Sequence, residues 1–261
     1  MTTVELTSPA GVGIRKSGFY FWIAVAMLGV AMAGFAPTFW IPLAQGIPDR
    51  FPLYAVHGMV CYAWIALVIY QSWLARSGRV ARHRSIGLIG ISLATALVMF
   101  GLMTAASSVR RTGISDGAEA FMIVTAGELI GFTTFVVGAL LNLQRPEWHK
   151  RFMIAATNSL LGAPVARLMI TGGHVPVLNG TVGLAGLPPA PLPSLGVDFS
   201  SVFIAEFFIV AGMIHDWRGR GRVHPAYWWA GGYNLAFQLV AAPVSTTALW
   251  HHIARGWLAV F

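Results

Sequence analysis

Seven runs of predominantly apolar residues, each long enough for a helix, follow one another between residues 18 and 250 with short breaks between them. A bilayer core about 30 Å thick needs roughly 20 such residues per helix. The runs predict spans at about 18–42, 52–74, 85–107, 117–142, 150–172, 199–216 and 226–250. Only 10% of the 261 residues are charged and 56% are hydrophobic, too polar-poor a composition to clothe a water-facing surface. The expected fold is therefore all-α: a polytopic transmembrane helical bundle of about seven spans. Residues 1–17 form a cytoplasmic N-terminal tail, and 18–261 form a single transmembrane domain. The first apolar run lacks a small-residue cleavage pattern, so it reads as a first span rather than a removable signal peptide. Tyr20, Trp22 and Trp40 flank it, and Tyr227, Trp228, Trp229 and Trp250 flank the last, as an interfacial aromatic belt requires.

The net charge of +8 raises the question of nucleic acid, and the placement of the 17 basic residues answers it. Alternate breaks hold Arg15 and Lys16; Arg76, Arg79, Arg82 and Arg84; Arg145, Lys150 and Arg151; and Arg218, Arg220 and Arg222. The opposite set holds only Arg50, Arg110, Arg111 and Arg255, while Arg167 falls inside a span. Lys and Arg mark the cytoplasmic side, which puts the N-terminus in and, after seven crossings, the C-terminus out. Topology accounts for the charge without nucleic acid, and anionic lipid headgroups are the expected partners of the basic clusters. The single cysteine, Cys61, excludes an intramolecular disulfide. One outer segment, about 173–198, is apolar and carries five prolines. It reads as a loop packed on the helix ends, a lid over an outward-facing site, or a surface for a partner protein.

Charges inside a span are costly and face the bundle interior, which singles out Glu128, Arg167 and Glu206. At about 1.5 Å of rise per residue, Glu206 lies roughly 10 Å below the outer surface, Arg167 roughly 8 Å, Glu128 roughly 16 Å and His57 roughly 8 Å. The four are expected in one buried layer. There Arg167 either pairs with the carboxylates or holds an anionic group while Glu128 or Glu206 relays protons. Asn234, Gln238, Ala241 and Ser245 form a small and polar stripe on one face of the last span. Gly127 and Gly131 bracket Glu128 in a spacing that lets a neighbouring helix approach.

Eight histidines invite a metal or haem reading. His83, His149, His215 and His224 fall at inner helix ends or loops, and His57, His174, His251 and His252 fall on the outer side. No HxxxH or HExxH occurs, which disfavours a zinc hydrolase and a membrane di-iron desaturase. The last span has no lysine for a retinal Schiff base. His83 and His149 are candidate ligands, His215 and His224 are weaker metal candidates, and His57, one turn from Cys61, lies within lipid depth.

Taken in order, His57, the Gln71 to Leu74 segment, the RHRSIG segment with His83 and Arg84, the EWHKRFM segment with His149 and Arg151, and Arg167 form a pattern over about residues 50–170. It resembles that of a family of bacterial multi-pass membrane proteins of uncharacterised function and, more distantly, the helical-bundle cytochromes b. The resemblance implies linked roles for His57, His83, His149 and Arg167 in binding haem b or a transition metal, with electron transfer in a bacterial-type cytoplasmic (inner) membrane. The chain departs from a two-haem cytochrome on its fourth helix, where Glu128 stands in place of a second outer histidine.

Three functional readings follow. The first is a haem- or metal-binding redox bundle exchanging electrons with quinone or a partner. The second is a non-enzymatic subunit or assembly factor of a larger membrane complex. The third is a proton-coupled transporter built on Glu128, Arg167 and Glu206. No catalytic residue is assigned.

Overall fold

A computed structural model describes residues 18–47, 52–178, 181–182 and 204–261. The N-terminal tail and most of the apolar outer segment lie outside the described residues. The chain is a helical bundle. Five of its described helical stretches are long and apolar enough to cross a bilayer: Phe19–Ala44, Pro52–Arg76, Val80–Arg111, Asp116–Leu141 and Pro146–Thr171. Trp22, Leu88, Ile130, Leu141, Trp228 and Leu249 are each more than half exposed, an outward apolar surface that lipid covers.

The first stretch is not one regular helix. Helix α1 (Phe19–Phe35) passes through a π-helical turn, Ala36–Trp40, into the short α2 (Ile41–Ala44). Pro37 and Pro42 lack N–H groups, so two rungs of the α-helical ladder are missing, and the Ile41 N–H reaches five residues back to the Ala36 carbonyl. Helices α3 (Pro52–Arg76) and α4 (Val80–Thr112) pack along one another, as do α5 (Asp116–Leu141) and α6 (Pro146–Asn158).

The predicted fifth span breaks in mid-course. Helix α6 ends at Asn158, Ser159–Leu161 form a turn, and α7 (Gly162–Thr171) resumes. Pro164 has no N–H to donate one turn back to Leu160, and Gly162 weakens the helix beside it. Helix α1 packs against α7 at this point. A Cβ added to Gly34 would lie 2.5 Å from the Pro164 Cβ, so only glycine admits the contact.

A two-residue ladder follows, β1 (Val177–Leu178) antiparallel to β2 (Thr181–Val182). The sixth predicted span emerges as α8 (Phe207–Arg220), its first residues lying outside the described set. The seventh, expected to reach residue 250, is α9 (Pro225–Ser245), and a separate α10 (Ala248–Val260) begins beyond it. Pro243 weakens the end of α9, and Thr247 caps α10 by accepting the Trp250 N–H at 3.2 Å.

Helix α10 buries Trp250, Ala254 and Leu258, one face at four-residue spacing. Trp250 Nε1 donates to the Glu119 carbonyl at 2.9 Å, and Trp257 Nε1 donates to the Leu102 carbonyl at 3.0 Å. Leu102 lies ten residues, roughly 15 Å, back along α4 from its Thr112 end. Helix α10 thus folds back beside α4 and α5 instead of extending α9. The polar stripe of α9, Asn234, Gln238, Ala241 and Ser245, is buried as its spacing predicts. The two glycines of α5 admit α9: a Cβ at Gly131 would lie 2.7 Å from the Tyr233 ring, and one at Gly127 would meet the Phe237 ring.

Candidate functional site

Four helices converge where α3 ends and α4 begins. The His83 Nδ1–H of α4 donates to the Gln71 carbonyl of α3 at 3.2 Å, and the His149 Nδ1–H of α6 donates to the Ala139 carbonyl of α5 at 3.0 Å. The two imidazoles lie side by side in space with ring centroids 6.2 Å apart and planes nearly perpendicular at 82°. Each Nδ1 is tied to a backbone carbonyl, which fixes the tautomer and leaves Nε2 as a lone-pair donor. Neither Nε2 is hydrogen-bonded among the described residues. The Gln71 carboxamide is buried with neither its Oε1 nor its Nε2 partnered.

The adjoining wall of the same end is an ion network that the sequence did not disclose. Arg151 and Asp216 are almost fully buried. Arg151 grips Asp216 with both arms of its fork, Nε to Oδ2 at 2.7 Å and Nη2 to Oδ1, while Nη1 binds the Glu147 carboxylate at 2.7 Å. Lys150 and Arg220 complete the shell around Glu147, and the His224 N–H donates to Asp216 at 3.2 Å. His215 stacks on Phe19 at 4.0 Å and lies 3.9 Å from Asp216. His224 caps α9, its Nδ1 accepting the Ala226 N–H at 3.2 Å. Burial, then the charge of Arg151, holds the His224 imidazole below its ordinary pKa. These two histidines thus belong to the packing of the network.

The predicted outer layer is assembled only in part. Glu128, Arg167, His57 and Cys61 share one electrostatic environment. Arg167 forms no ion pair among the described residues. Its guanidinium stacks over Phe35 at 4.6 Å and donates to the Ala163 carbonyl at 3.3 Å, and its Nε is unpartnered. His57 Nε2 contacts Cys61 Sγ at 3.6 Å. The Glu206 carboxylate accepts from Gln238 of the α9 stripe at 2.5 Å. A cavity beside Glu128 is walled by Asn158, Ser159, Gly162, Tyr233 and Asn234, with room for a single water-sized occupant at about 20 Å³.

At the opposite end from the His83–His149 pair, Asp116, Glu119 and His251 offer ligand atoms within 4.8 Å of one another, a group that could hold a metal ion. His251 Nδ1 lies 2.7 Å from Glu119 Oε2, and Arg255 Nε contacts both Glu119 oxygens at 3.0 and 3.2 Å. The guanidinium thus already supplies a cation to that carboxylate, fastening α10 to α5.

Comparison with protein-family models, curated proteins and solved structures finds no match to this chain. Function therefore rests on the geometry of these groups.

Proposed function

We propose that the chain is a redox protein of a bacterial-type cytoplasmic membrane, crossing it seven times with the N-terminus inside, and that His83 and His149 hold haem b at its cytoplasmic end. The observation that carries the reading is the adjacent pair of imidazoles, each with Nδ1 committed to a neighbouring helix and Nε2 without a hydrogen bond among the described residues. This is how metal-ligating histidines are held, the outer hydrogen bond setting tautomer and ring direction.

The donor set fits a porphyrin-borne iron better than a bare ion. A zinc or copper ion draws about four protein or water ligands, whereas haem needs the protein to supply only the axial positions. His83 and His149 would hold the iron through their unengaged Nε2 atoms. Haem when bound supplies one-electron chemistry, with quinone or a membrane partner as the exchange partner. The protein's residues do the rest. The Gln71 and Ala139 carbonyls orient the rings. His57 does not extend the site outward, since its Nε2 is turned to Cys61 and Glu128 stands where a second ligand would be needed.

Purified protein is expected to show a Soret band that is lost in His83→Ala and in His149→Ala and retained in His57→Ala. Folded, monodisperse protein free of haem, iron, copper and zinc would refute the reading.

A further inference from the structure

The cavity beside Glu128 has a mixed wall: Phe237, Ala205 and two glycines supply its apolar part, and Asn158, Ser159, Tyr233 and Asn234 supply its polar part. Tyr233 commits its hydroxyl proton to the Gly127 carbonyl at 2.7 Å, and Ser159 commits its own to the Ala155 carbonyl at 3.2 Å. Asn158 is 3% exposed, and its Oδ1 has no hydrogen-bond partner. Asn234 is also buried and makes no side-chain hydrogen bond among the described residues. The Glu128 carboxylate has neither a hydrogen bond nor an ion pair there, and Arg167 acts on it only at longer range. A carboxyl group left so within a bundle either keeps its proton or is joined by a positive charge.

The backbone adds to the same demand. The cavity sits where the fifth span breaks, at the C-terminal end of α6, which carries the negative end of that helix's dipole. Half-helix C-termini and unwound carbonyls within membrane bundles are built to receive small cations. Pro164 leaves the Leu160 carbonyl of the turn without its helical donor.

We propose that this cavity binds one monovalent cation, Na⁺, coordinated by the carboxylate of Glu128 and the carboxamide oxygens of Asn158 and Asn234. One carboxylate balances one positive charge. Ca²⁺ draws six to eight oxygens, often from several carboxylates, whereas this site offers one carboxylate and two neutral carboxamide oxygens. The site is separate from the histidine pair: Glu128 stands eleven residues, roughly 16 Å, along α5 from Ala139. Because three helices supply the ligands, the ion fastens α5, α9 and the α6–α7 break to one another.

The test uses the full chain purified in mild detergent without sodium. Adding NaCl is expected to raise the Tm by several degrees over equal choline chloride, because an ion that binds only the folded state stabilises it. Radioactive sodium should bind saturably at one ion per chain, with binding lost in Glu128→Gln and weakened at least tenfold in Asn158→Ala. Equal Tm in sodium and choline together with no saturable sodium binding would overturn the proposal, leaving water as the occupant. Sodium binding that survives undiminished in folded Glu128→Gln would overturn it as well. The wild-type measurements stand without either variant, and neither depends on haem content.

Discussion

At the scale of single residues, membrane burial separates charges that only orient the chain from charges that hold it together. Arg151 stands in a run of basic residues at a helix start and yet is almost fully buried against Asp216. Removing one partner of a buried, hydrogen-bonded pair strands the other charge, which costs about 3–5 kcal/mol. Asp216→Ala is therefore expected to lower unfolding stability in detergent by about that amount, while Arg145→Ala, at the same helix start, leaves it near the wild-type value. Equal losses in the two variants would remove Arg151 from its structural role.

The sequence made Glu128, Arg167 and His57 conspicuous because lipid makes such side chains expensive. It could not show that Arg151, rather than Arg145 or Lys150, turns inward. That choice depends on α8 bringing Asp216 beside α6, a contact between residues 65 positions apart. Glu206 illustrates the same limit of a linear reading: depth along a helix is readable, but the helix rotation that gives its carboxylate Gln238 as a partner is not.

At the scale of elements, the five described helical stretches long enough to cross a bilayer were legible from apolar length, whereas interruptions were legible only as isolated prolines and glycines. Pro164 after Gly162 marks the α6–α7 break, and Pro243 before Thr247 marks the α9–α10 turn, but a proline inside a span can equally leave it kinked and continuous. Helix starts carry their own chemistry. The His224 cap works only as neutral imidazole, since its Nδ1 must accept the Ala226 N–H. Its folded pKa lies below the ordinary 6.5, so the unfolded chain takes up this proton first as pH falls. The cap's contribution is complete above about pH 6.5 and declines below it. His224→Asn keeps a capping oxygen without the titration and is expected to flatten the loss of Tm between pH 7 and pH 5. An unchanged slope would place that loss elsewhere.

At the scale of the whole molecule, the two ends of the bundle differ in chemistry. The turn joining α3 to α4, the histidine pair and the Arg151 network share one end, and Glu119, His251 and the start of α10 share the other. In the orientation proposed from the basic excess, the first end and the proposed haem site face the cytoplasm. Single-cysteine labelling tests this most directly. In a Cys61→Ser background, Ser77→Cys, Ile114→Cys and Thr246→Cys are exposed in intact cells to a maleimide that cannot cross the membrane. The account predicts modification at positions 114 and 246 and protection at 77 until the cells are opened. Modification at position 77 in intact cells, or no difference among the three, would contradict it.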